Sequence, residues 1–302
     1  MGISQYLKEI GRGRQGARAL SREQAADLFG QLLDGTVGDL EVGAFCIAMR
    51  VKGETPEEMA GFLDATRTRL NRVPPTPSPT VVLPSYNGAR RLPVLTPLLA
   101  QLLARRGLPV LIHGTATESS RVFVTEVLAG AGIAPLHLLR APRPGEAVYA
   151  ATELLHPGLK RLLDVRRVLG LRNPAHSLVK LMDPCDGPAV LVSSYTHPEY
   201  AVSMGAVFEL MGSTALLLRG TEGEAVADAR RTPAMEGFAA GRRIVLEEGR
   251  RGTLPGLPGW PSAADPDATA AYIRDVLDER QPVPDSIARQ AEHIQRLADG
   301  AA

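Results

Sequence analysis

The chain has 302 residues, of which 44% are hydrophobic and 22% charged, with a formal net charge of +1. A chain of this length and apolar content can bury a substantial core, so we expect a globular protein with two unequal domains. The small net charge excludes a uniformly basic nucleic-acid-binding protein, so any polyanion site must come from local clustering of Lys and Arg.

Several other classes of protein are not expected. No stretch approaches the roughly 20 apolar residues that a membrane helix requires. The two cysteines, Cys46 and Cys185, are far apart and predict neither a disulfide framework nor a thiolate metal site. The first twenty residues contain no apolar run of the kind found in secretory signals, so we predict a cytoplasmic location.

Helix signals dominate residues 1–72. Ser21 and Gln24 form a capping box, apolar residues then recur at helical spacing, and Gly35 ends the helix. A second helix is predicted from Asp39 to Gly53, and residues 55–58 supply an N-cap, a proline and a capping carboxylate for a third. Residues 1–72 therefore predict a small helical domain, which we expect part of residues 155–182 to join.

A proline-rich hinge over residues 73–80 precedes the second domain, residues 81–302. Apolar strands are predicted within 81–85, 108–114, 188–194 and 214–220, and helices over 96–106, about 119–130 and about 199–211. Continuous apolar strands that alternate with helices indicate an α/β domain with a mostly parallel central sheet flanked by helices. The Gly- and Pro-rich residues 249–268 predict a long surface loop, followed by two C-terminal helices.

Three segments resemble the anthranilate and nucleoside phosphoribosyltransferases of the glycosyltransferase family 3 fold. Residues 49–58 have the order of helix end, glycine and capped helix of that family's helical domain. Residues 112–120, IHGTATESS, resemble its Lys-His-Gly-Asn-Arg segment with the following serine pair, and residues 169–184 occupy the place of its G-x-R-T-x-F-N segment. The resemblance implies an N-terminal helical bundle and an α/β phosphoribosyltransferase-like domain.

The segments that would hold substrate depart from the family's pattern. Residues 84–88, PSYNG, replace the family's pyrophosphate-binding G-T-G-G-D loop, and Ile112 replaces the lysine before His-Gly. The family's magnesium-binding acidic pair aligns with Ala225 and Val226, although a shift of one or two residues would bring Glu222 and Glu224 into use. The residual substrate cleft is expected to contain Ser85, Asn87, Gly88, His113, Gly114, Ser119, Ser120, Arg172 and His176.

These departures argue against phosphoribosyl transfer. Displacement of pyrophosphate from a sugar needs a divalent cation on the leaving group and hydrogen-bond donors along both phosphates. We therefore predict a catalytically inactive protein with no catalytic residues, cofactor or metal. The substitutions resemble the YbiB-type, TrpD-like branch of the family, whose members bind DNA and RNA without sequence preference as homodimers that pair through the helical domain. The resemblance implies the same partners here.

Local clusters of basic residues supply candidate contacts for phosphates, since guanidinium groups suit the exposed phosphates of a polymer. The candidates are Arg12, Arg14, Arg90, Arg91, Lys160, Arg161, Arg166, Arg167, Arg172 and Lys180. Because only 4% of the residues are aromatic, we expect binding through phosphates, with a steep salt dependence, and not through base stacking. Structural interpretations remain open: residues 160–167 as a solvated helix face, residues 11–18 as a flexible connector, and Arg90 and Arg91 as partners of Glu118.

Two other functions also remain open. A magnesium-dependent phosphoribosyltransferase, as in tryptophan biosynthesis, would use Glu222 and Glu224 for the metal and Arg172 for an acceptor carboxylate. A small-metabolite sensor would bind a ligand in the residual cleft without turnover.

Overall fold

The computed structural model describes residues 2–13 and 15–301. The predicted phosphate contact at Arg14 lies outside the described residues. In these residues no helix combines the length and the apolar character needed to cross a membrane.

The N-terminal part of the chain is a helical bundle. Its helices are α1 Ser4–Ile10, α2 Arg22–Asp34, α3 Asp39–Lys52 and α4 Pro56–Arg67. The predicted capping boxes at Ser21 and Thr55 are formed, and Gly35 ends α2 in a left-handed conformation, so these predictions are confirmed. The rings of Phe29 and Phe62 stack at 4.7 Å in the centre of the bundle.

Helices from the middle of the chain pack onto this bundle. They are α6 Thr152–Leu155, α7 Pro157–Leu169 and α8 Ala175–Leu178. Leu159, Leu162 and Leu163 of α7 are buried in the same core cluster as Phe29 of α2. The apolar face of α7 thus lies against the bundle, which leaves its charged residues at the rim.

A seven-stranded sheet forms the second domain, in the order β3-β2-β1-β4-β5-β6-β7. The strands are β1 Thr80–Ser85, β2 Val110–Gly114, β3 Ala147–Ala151, β4 Ala189–Tyr195, β5 Ala215–Arg219, β6 Met235–Ala239 and β7 Arg242–Glu247. β1 to β5 run parallel, whereas β6 and β7 form an antiparallel hairpin at one edge. The helices around the sheet are α5 Thr96–Arg105, α9 Pro198–Met211, α10 Pro266–Leu277 and α11 Asp285–Ala298. The predicted fold class is confirmed.

One predicted helix is wrong. Residues 119–130 contain only short 3₁₀ turns at Val124–Glu126 and Ala129–Ala131. The start of the segment is extended because Val122 pairs with Ala89 in an antiparallel bridge, with backbone hydrogen bonds of 2.8 and 2.9 Å. A contact distant in sequence therefore overrides the local helical pattern.

The strand order places a reversal point between β1 and β4. The chain builds β2 and β3 on one side of β1 and then returns to place β4 and β5 on the other. In open parallel sheets, ligands bind outside the carboxyl ends of the strands at such a point. The loops after β1, β2 and β5 meet at this edge, so the candidate site is expected there.

Candidate functional site

The loop after β1 holds a buried carboxylate from a distant part of the chain. The Glu224 side chain, which is almost completely buried, accepts hydrogen bonds from the backbone N–H groups of Asn87 and Gly88, both at 2.9 Å. Its other oxygen accepts from the hydroxyls of Ser85 and Thr96. Both oxygens of Glu224 therefore have two donors each.

Glu222 is held in the same way by the next part of the loop. Its carboxylate accepts from the backbone N–H groups of Arg90, Arg91 and Leu92, the last two at 2.9 and 3.1 Å. The backbone of Glu222 is left-handed, with a φ of 50°, which is a strained conformation for a residue with a side chain. The loop that replaces a phosphate-binding turn still presents backbone N–H groups to anions, and those anions are the protein's own glutamates.

The Asn87 side chain also joins the two loops. The Asn87 amide donates to the Glu222 carbonyl at 3.1 Å, and Gly223 lies so close that a Cβ there would be 1.8 Å from Asn87 Nδ2. Beneath them, the Lys180 ammonium donates to the carbonyls of Ser194 and Gly223 at 3.2 and 2.9 Å. Burial lowers the pKa of Lys180 to about 8, against the opposing attraction of Glu224. Lys180 thus connects the end of β4 to the loop after β5.

This arrangement does not fit a magnesium site. Ala225 and Val226, which align with the family's acidic pair, are buried in the apolar core and offer no side-chain oxygen. The carboxylates of Glu222 and Glu224 are already engaged by hydrogen-bond donors on both oxygens. Throughout residues 2–13 and 15–301, no group of three or more His, Cys, Asp or Glu side chains could hold a metal ion.

Both predicted histidines of the cleft are buried. His113 shares a 2.8 Å hydrogen bond with the Tyr86 hydroxyl, which in turn accepts from Thr152. His176 packs its Nδ1 against Asn173. Burial lowers the pKa of each histidine to about 3, and the charges of nearby arginines reinforce the shift for His176. Both imidazoles are consequently neutral at physiological pH.

Substitution of His113 with Asn is expected to reduce the acid sensitivity of the fold. Between the ordinary histidine pKa of about 6.5 and the folded value of about 3, the unfolded chain binds a proton that folded His113 does not. Each such histidine lowers the free energy of unfolding by about 1.4 kcal/mol per pH unit as the pH falls below 6.5. Urea denaturation at pH 7, 6 and 5 measures this slope, and the exposed His197→Asn is the control. An unchanged slope in His113→Asn would contradict the assignment.

A cleft of about 290 Å³ separates the helical bundle from the sheet. It is lined by the end of α3, by residues 172–180 and by the start of α9, and it includes Arg172, His176 and Lys180. Of the other residues predicted for the residual cleft, Ser85, Asn87, Gly88, His113 and Gly114 are buried beneath the loops, whereas Ser119 and Ser120 are exposed. The structure therefore brings Arg172 and His176 together in the cleft and separates them from the rest.

Arginines from three segments converge on one carboxylate at the same edge of the sheet. Glu118 forms ion pairs with Arg90, at 3.4 Å, and with Arg121 and Arg166. Burial would raise the pKa of Glu118, but the guanidinium groups of Arg121, Arg166 and Arg90 outweigh it and hold the pKa below its usual value. One carboxylate thus faces several guanidinium groups.

Other basic residues extend this cluster. Arg167 donates to the carbonyl of Ala116 at 3.1 Å, beside Glu118, and its side chain is 58% exposed. Burial and the charges of Arg166 and Arg121 lower the pKa of Arg172. We call Arg90, Arg91, Arg121, Arg166, Arg167 and Arg172 the arginine cluster. Arg90 is 56% exposed, and Arg91 is also exposed, so the cluster presents positive charge to solvent.

The remaining predicted basic contacts have local partners. Lys160 pairs with Asp164, which also lies 3.4 Å from Arg167. Arg161 donates to the Leu32 carbonyl at 2.9 Å, at the end of α2. Arg12 lies after α1 and pairs with Glu9 at 2.7 Å. These residues are not brought into the arginine cluster.

Sequence reasoning missed Arg121, because it stands alone among uncharged residues and belongs to no basic run. Its guanidinium also donates to the carbonyls of Asn87 and Gly88 at 3.2 and 3.4 Å, which ties the loop after β2 to the loop after β1. A signal does exist in the spacing of Glu118 and Arg121, which stand three residues apart, but the sequence indicated Glu118 only as a possible partner of Arg90 and Arg91.

Comparisons with known proteins agree with this architecture. Residues 4–69 match the glycosyl transferase family helical bundle domain. The chain is 38% identical over 295 residues to YbiB of Escherichia coli (strain K12), with 95% of this chain and 91% of YbiB covered. It is 29% identical over 284 residues to the anthranilate phosphoribosyltransferase of Methylobacterium nodulans, with 90% of this chain and 82% of that enzyme covered.

Solved structures show the same fold. The crystal structure of anthranilate phosphoribosyltransferase from Thermus thermophilus superposes with a TM-score of 0.72 at 21% identity, covering 98% of this chain and 88% of the enzyme. The Saccharomyces cerevisiae enzyme in complex with PRPP and Mg gives a TM-score of 0.71 at 16% identity, covering 99% and 89%. The chain therefore belongs to the anthranilate phosphoribosyltransferase-like family of the glycosyltransferase family 3 fold, together with YbiB.

Proposed function

We propose that this protein binds DNA or RNA through the phosphate backbone, without sequence preference and without phosphoribosyl transfer. The arginine cluster carries the proposal, because it combines exposed guanidinium groups from three segments with one carboxylate, Glu118. Backbone phosphates repeat along a polymer and are neutralised by such surfaces, whatever the base sequence. A cytoplasmic location remains a prediction.

The engaged glutamates support the absence of transferase activity. An external pyrophosphate would need the donors that Glu222 and Glu224 already occupy, and magnesium would need carboxylate oxygens that are already hydrogen-bonded. The magnesium-dependent transferase alternative rests on family membership alone.

Fluorescence polarisation with a labelled single-stranded oligonucleotide tests the proposal. We expect binding that weakens steeply with salt, with a logarithmic slope of about 0.7 for each phosphate contacted. Phosphoribosyl pyrophosphate with magnesium is added as a competitor and is expected to leave binding unchanged. No binding to the oligonucleotide, together with a thermal shift on adding the sugar pyrophosphate and magnesium, would replace this proposal with the transferase.

We also propose that the protein forms a homodimer through α3. Leu40, Ala44, Ile47 and Val51 recur at heptad spacing along the outer face of α3, and Leu40 is 91% exposed. An apolar stripe with this period is the pattern by which one helix packs against another. A second copy of the chain offers the same stripe, so a twofold arrangement would bury both.

The double substitution Ile47→Glu and Val51→Glu is expected to convert the dimer to a monomer, because it places charges in the centre of the apolar stripe. Sedimentation velocity of wild type and variant at the same concentrations measures the change. Val245→Glu, at an exposed apolar residue of the edge strand β7, is the matched control. A monomeric wild type, or a variant that sediments as wild type does, would refute α3 as the interface.

A further inference from the structure

A separate cleft of about 500 Å³ lies in the α/β domain, between the segment that leads into β6, the loop after β7 and the start of α11. None of its lining residues belongs to the arginine cluster or to the cleft beneath the bundle. A volume of this size falls in the range of small-molecule sites. The chemistry of its lining indicates what could bind there.

Two of the four arginines that line the cleft are compensated. Arg230 forms a two-pronged ion pair with Asp228, with both distances 3.1 Å, and lies 5.9 Å from the ring centre of Trp260. Arg250 lies 3.7 Å from Asp285 on the rim. In these ion pairs the carboxylates offset the charges of Arg230 and Arg250, so the two arginines add little net charge to the cleft.

The other two arginines supply the net charge of the cleft. Within the part of the chain that the structure describes, neither Arg231 nor Arg251 has an acidic partner within ion-pair distance. Arg231 is half-buried and Arg251 is exposed. Two uncompensated guanidinium groups at one cleft match a dianion, and a phosphate monoester carries close to two negative charges at neutral pH.

Polar groups with unused hydrogen-bonding capacity lie among the arginines. Thr232 is only 6% exposed and lines the cleft, and its hydroxyl makes no hydrogen bond within the described residues. The 14-residue helix α11 begins at the cleft with no side-chain cap, so its first backbone N–H groups add to the positive potential. Asp285 offsets part of this potential.

The cleft also has an apolar wall. It is formed by Leu254, Leu257, Pro258, Val283 and the buried ring of Tyr272. A free phosphate ion would leave this wall exposed to water, whereas a ligand with an apolar or aromatic body would cover it. Charged and apolar groups in one cleft indicate a ligand that carries both a negative charge and an apolar body.

We propose that this cleft binds a small phosphate monoester with an apolar or aromatic body, about the size of a mononucleotide. Arg231 and Arg251 bind the phosphate, and the Thr232 hydroxyl donates a hydrogen bond to it. The apolar wall covers the body of the ligand. The site stands apart from the arginine cluster, so it does not rest on polynucleotide binding.

Isothermal titration calorimetry with the full chain tests the site. The probes are adenosine 5′-monophosphate and p-nitrophenyl phosphate, with adenosine, p-nitrophenol and inorganic phosphate as their partial counterparts. We expect both monoesters to bind, each at least about tenfold more tightly than its counterparts, since the phosphate and the body contribute together. The substitutions Arg231→Ala and Arg251→Ala are each expected to weaken binding by at least about tenfold.

Two controls keep the result specific to the cleft. The double substitution Arg106→Ala and Arg242→Ala is expected to leave monoester binding unchanged, because these exposed residues lie outside both the cleft and the arginine cluster. Thermal unfolding of each variant reports whether the fold is intact. The proposal is overturned if neither monoester binds at millimolar concentration, if adenosine binds as tightly as its monophosphate, or if intact Arg231→Ala and Arg251→Ala proteins bind as wild type does.

Discussion

Charge reversal of Arg90, Arg91 and Arg167 together is expected to weaken binding to a single-stranded oligonucleotide by about 30- to 1,000-fold at low salt. Exposed ion pairs contribute up to about 1 kcal/mol each, and reversal adds repulsion of similar size, which gives about 2 to 4 kcal/mol for three residues. These three are the suitable positions because their side chains are exposed, whereas Arg121 and Arg166 are largely enclosed by their pairs with Glu118.

The loop itself is expected to survive this change. Glu222 is held by the backbone N–H groups of Arg90 and Arg91, which any side chain retains. The logarithmic salt slope of binding should also become shallower, by about 0.7 for each phosphate contact that is lost. Fluorescence polarisation over a series of salt concentrations measures affinity and slope in one experiment.

A second triple variant separates the contribution of the arginine cluster to binding from the effect of net charge. Arg106, Arg242 and Arg296 are exposed and lie outside the cluster, and their reversal changes the net charge by the same amount. Arg106 follows α5, at the amino-terminal edge of the parallel strands. Equal losses in the two variants would show a general charge effect, and undiminished binding in the first would place the polynucleotide elsewhere.

The parts of the fold that the sequence predicted well depend on local signals. The capping boxes at Ser21 and Thr55 and the left-handed Gly35 each act within one turn of helix, so a short window contains the whole cause. Continuous apolar runs gave β1, β2, β4 and β5 because strands covered on both faces need apolar side chains throughout.

The strands that were missed lack such signals. β3 is the alanine-rich Ala147–Ala151, with few of the β-branched residues typical of strands. β6 and β7 form an edge hairpin whose turn puts Ala240, as well as Gly241, at positive φ. A turn of this kind is usually indicated by Asn-Gly or Asp-Gly, and the Ala-Gly found here does not predict it.

The candidate site was predicted only in part, because its decisive contacts join distant residues. The basic character of Arg90 and Arg91 could be read directly, but their loop closes on Glu222, more than 120 positions away. Alignment with the family offered Glu222 and Glu224 as metal ligands only after a shift of one or two residues. The structure instead shows that both carboxylates accept hydrogen bonds from the loop's backbone N–H groups, which holds a turn with one glycine in place.

Because of this role, loss of the Glu224 carboxylate should strongly destabilise the protein. Glu224→Gln is expected to lower the free energy of unfolding by about 3 to 5 kcal/mol. The amide retains one acceptor oxygen but turns its NH₂ group toward donors, so buried N–H or hydroxyl groups lose their partner at about 1 to 3 kcal/mol each. Urea denaturation measures the change, with the exposed Glu248→Gln as the matched control.

Truncation of the side chain in Glu224→Ala tests whether the loop binds an anion or is stabilised only by packing. Glu224→Ala leaves the donors of Ser85, Asn87, Gly88 and Thr96 around an empty, anion-sized space. Inorganic phosphate or sulfate is therefore expected to raise the melting temperature of Glu224→Ala more than that of wild type, in which the carboxylate fills the space. If Glu224→Gln is as stable as wild type, or if anions stabilise both proteins equally, the carboxylate is not what completes the loop. If both results hold, a side chain of the protein itself fills the anion-binding site of the loop, and the proposed affinity for polynucleotide phosphates must reside in the exposed arginines around that loop.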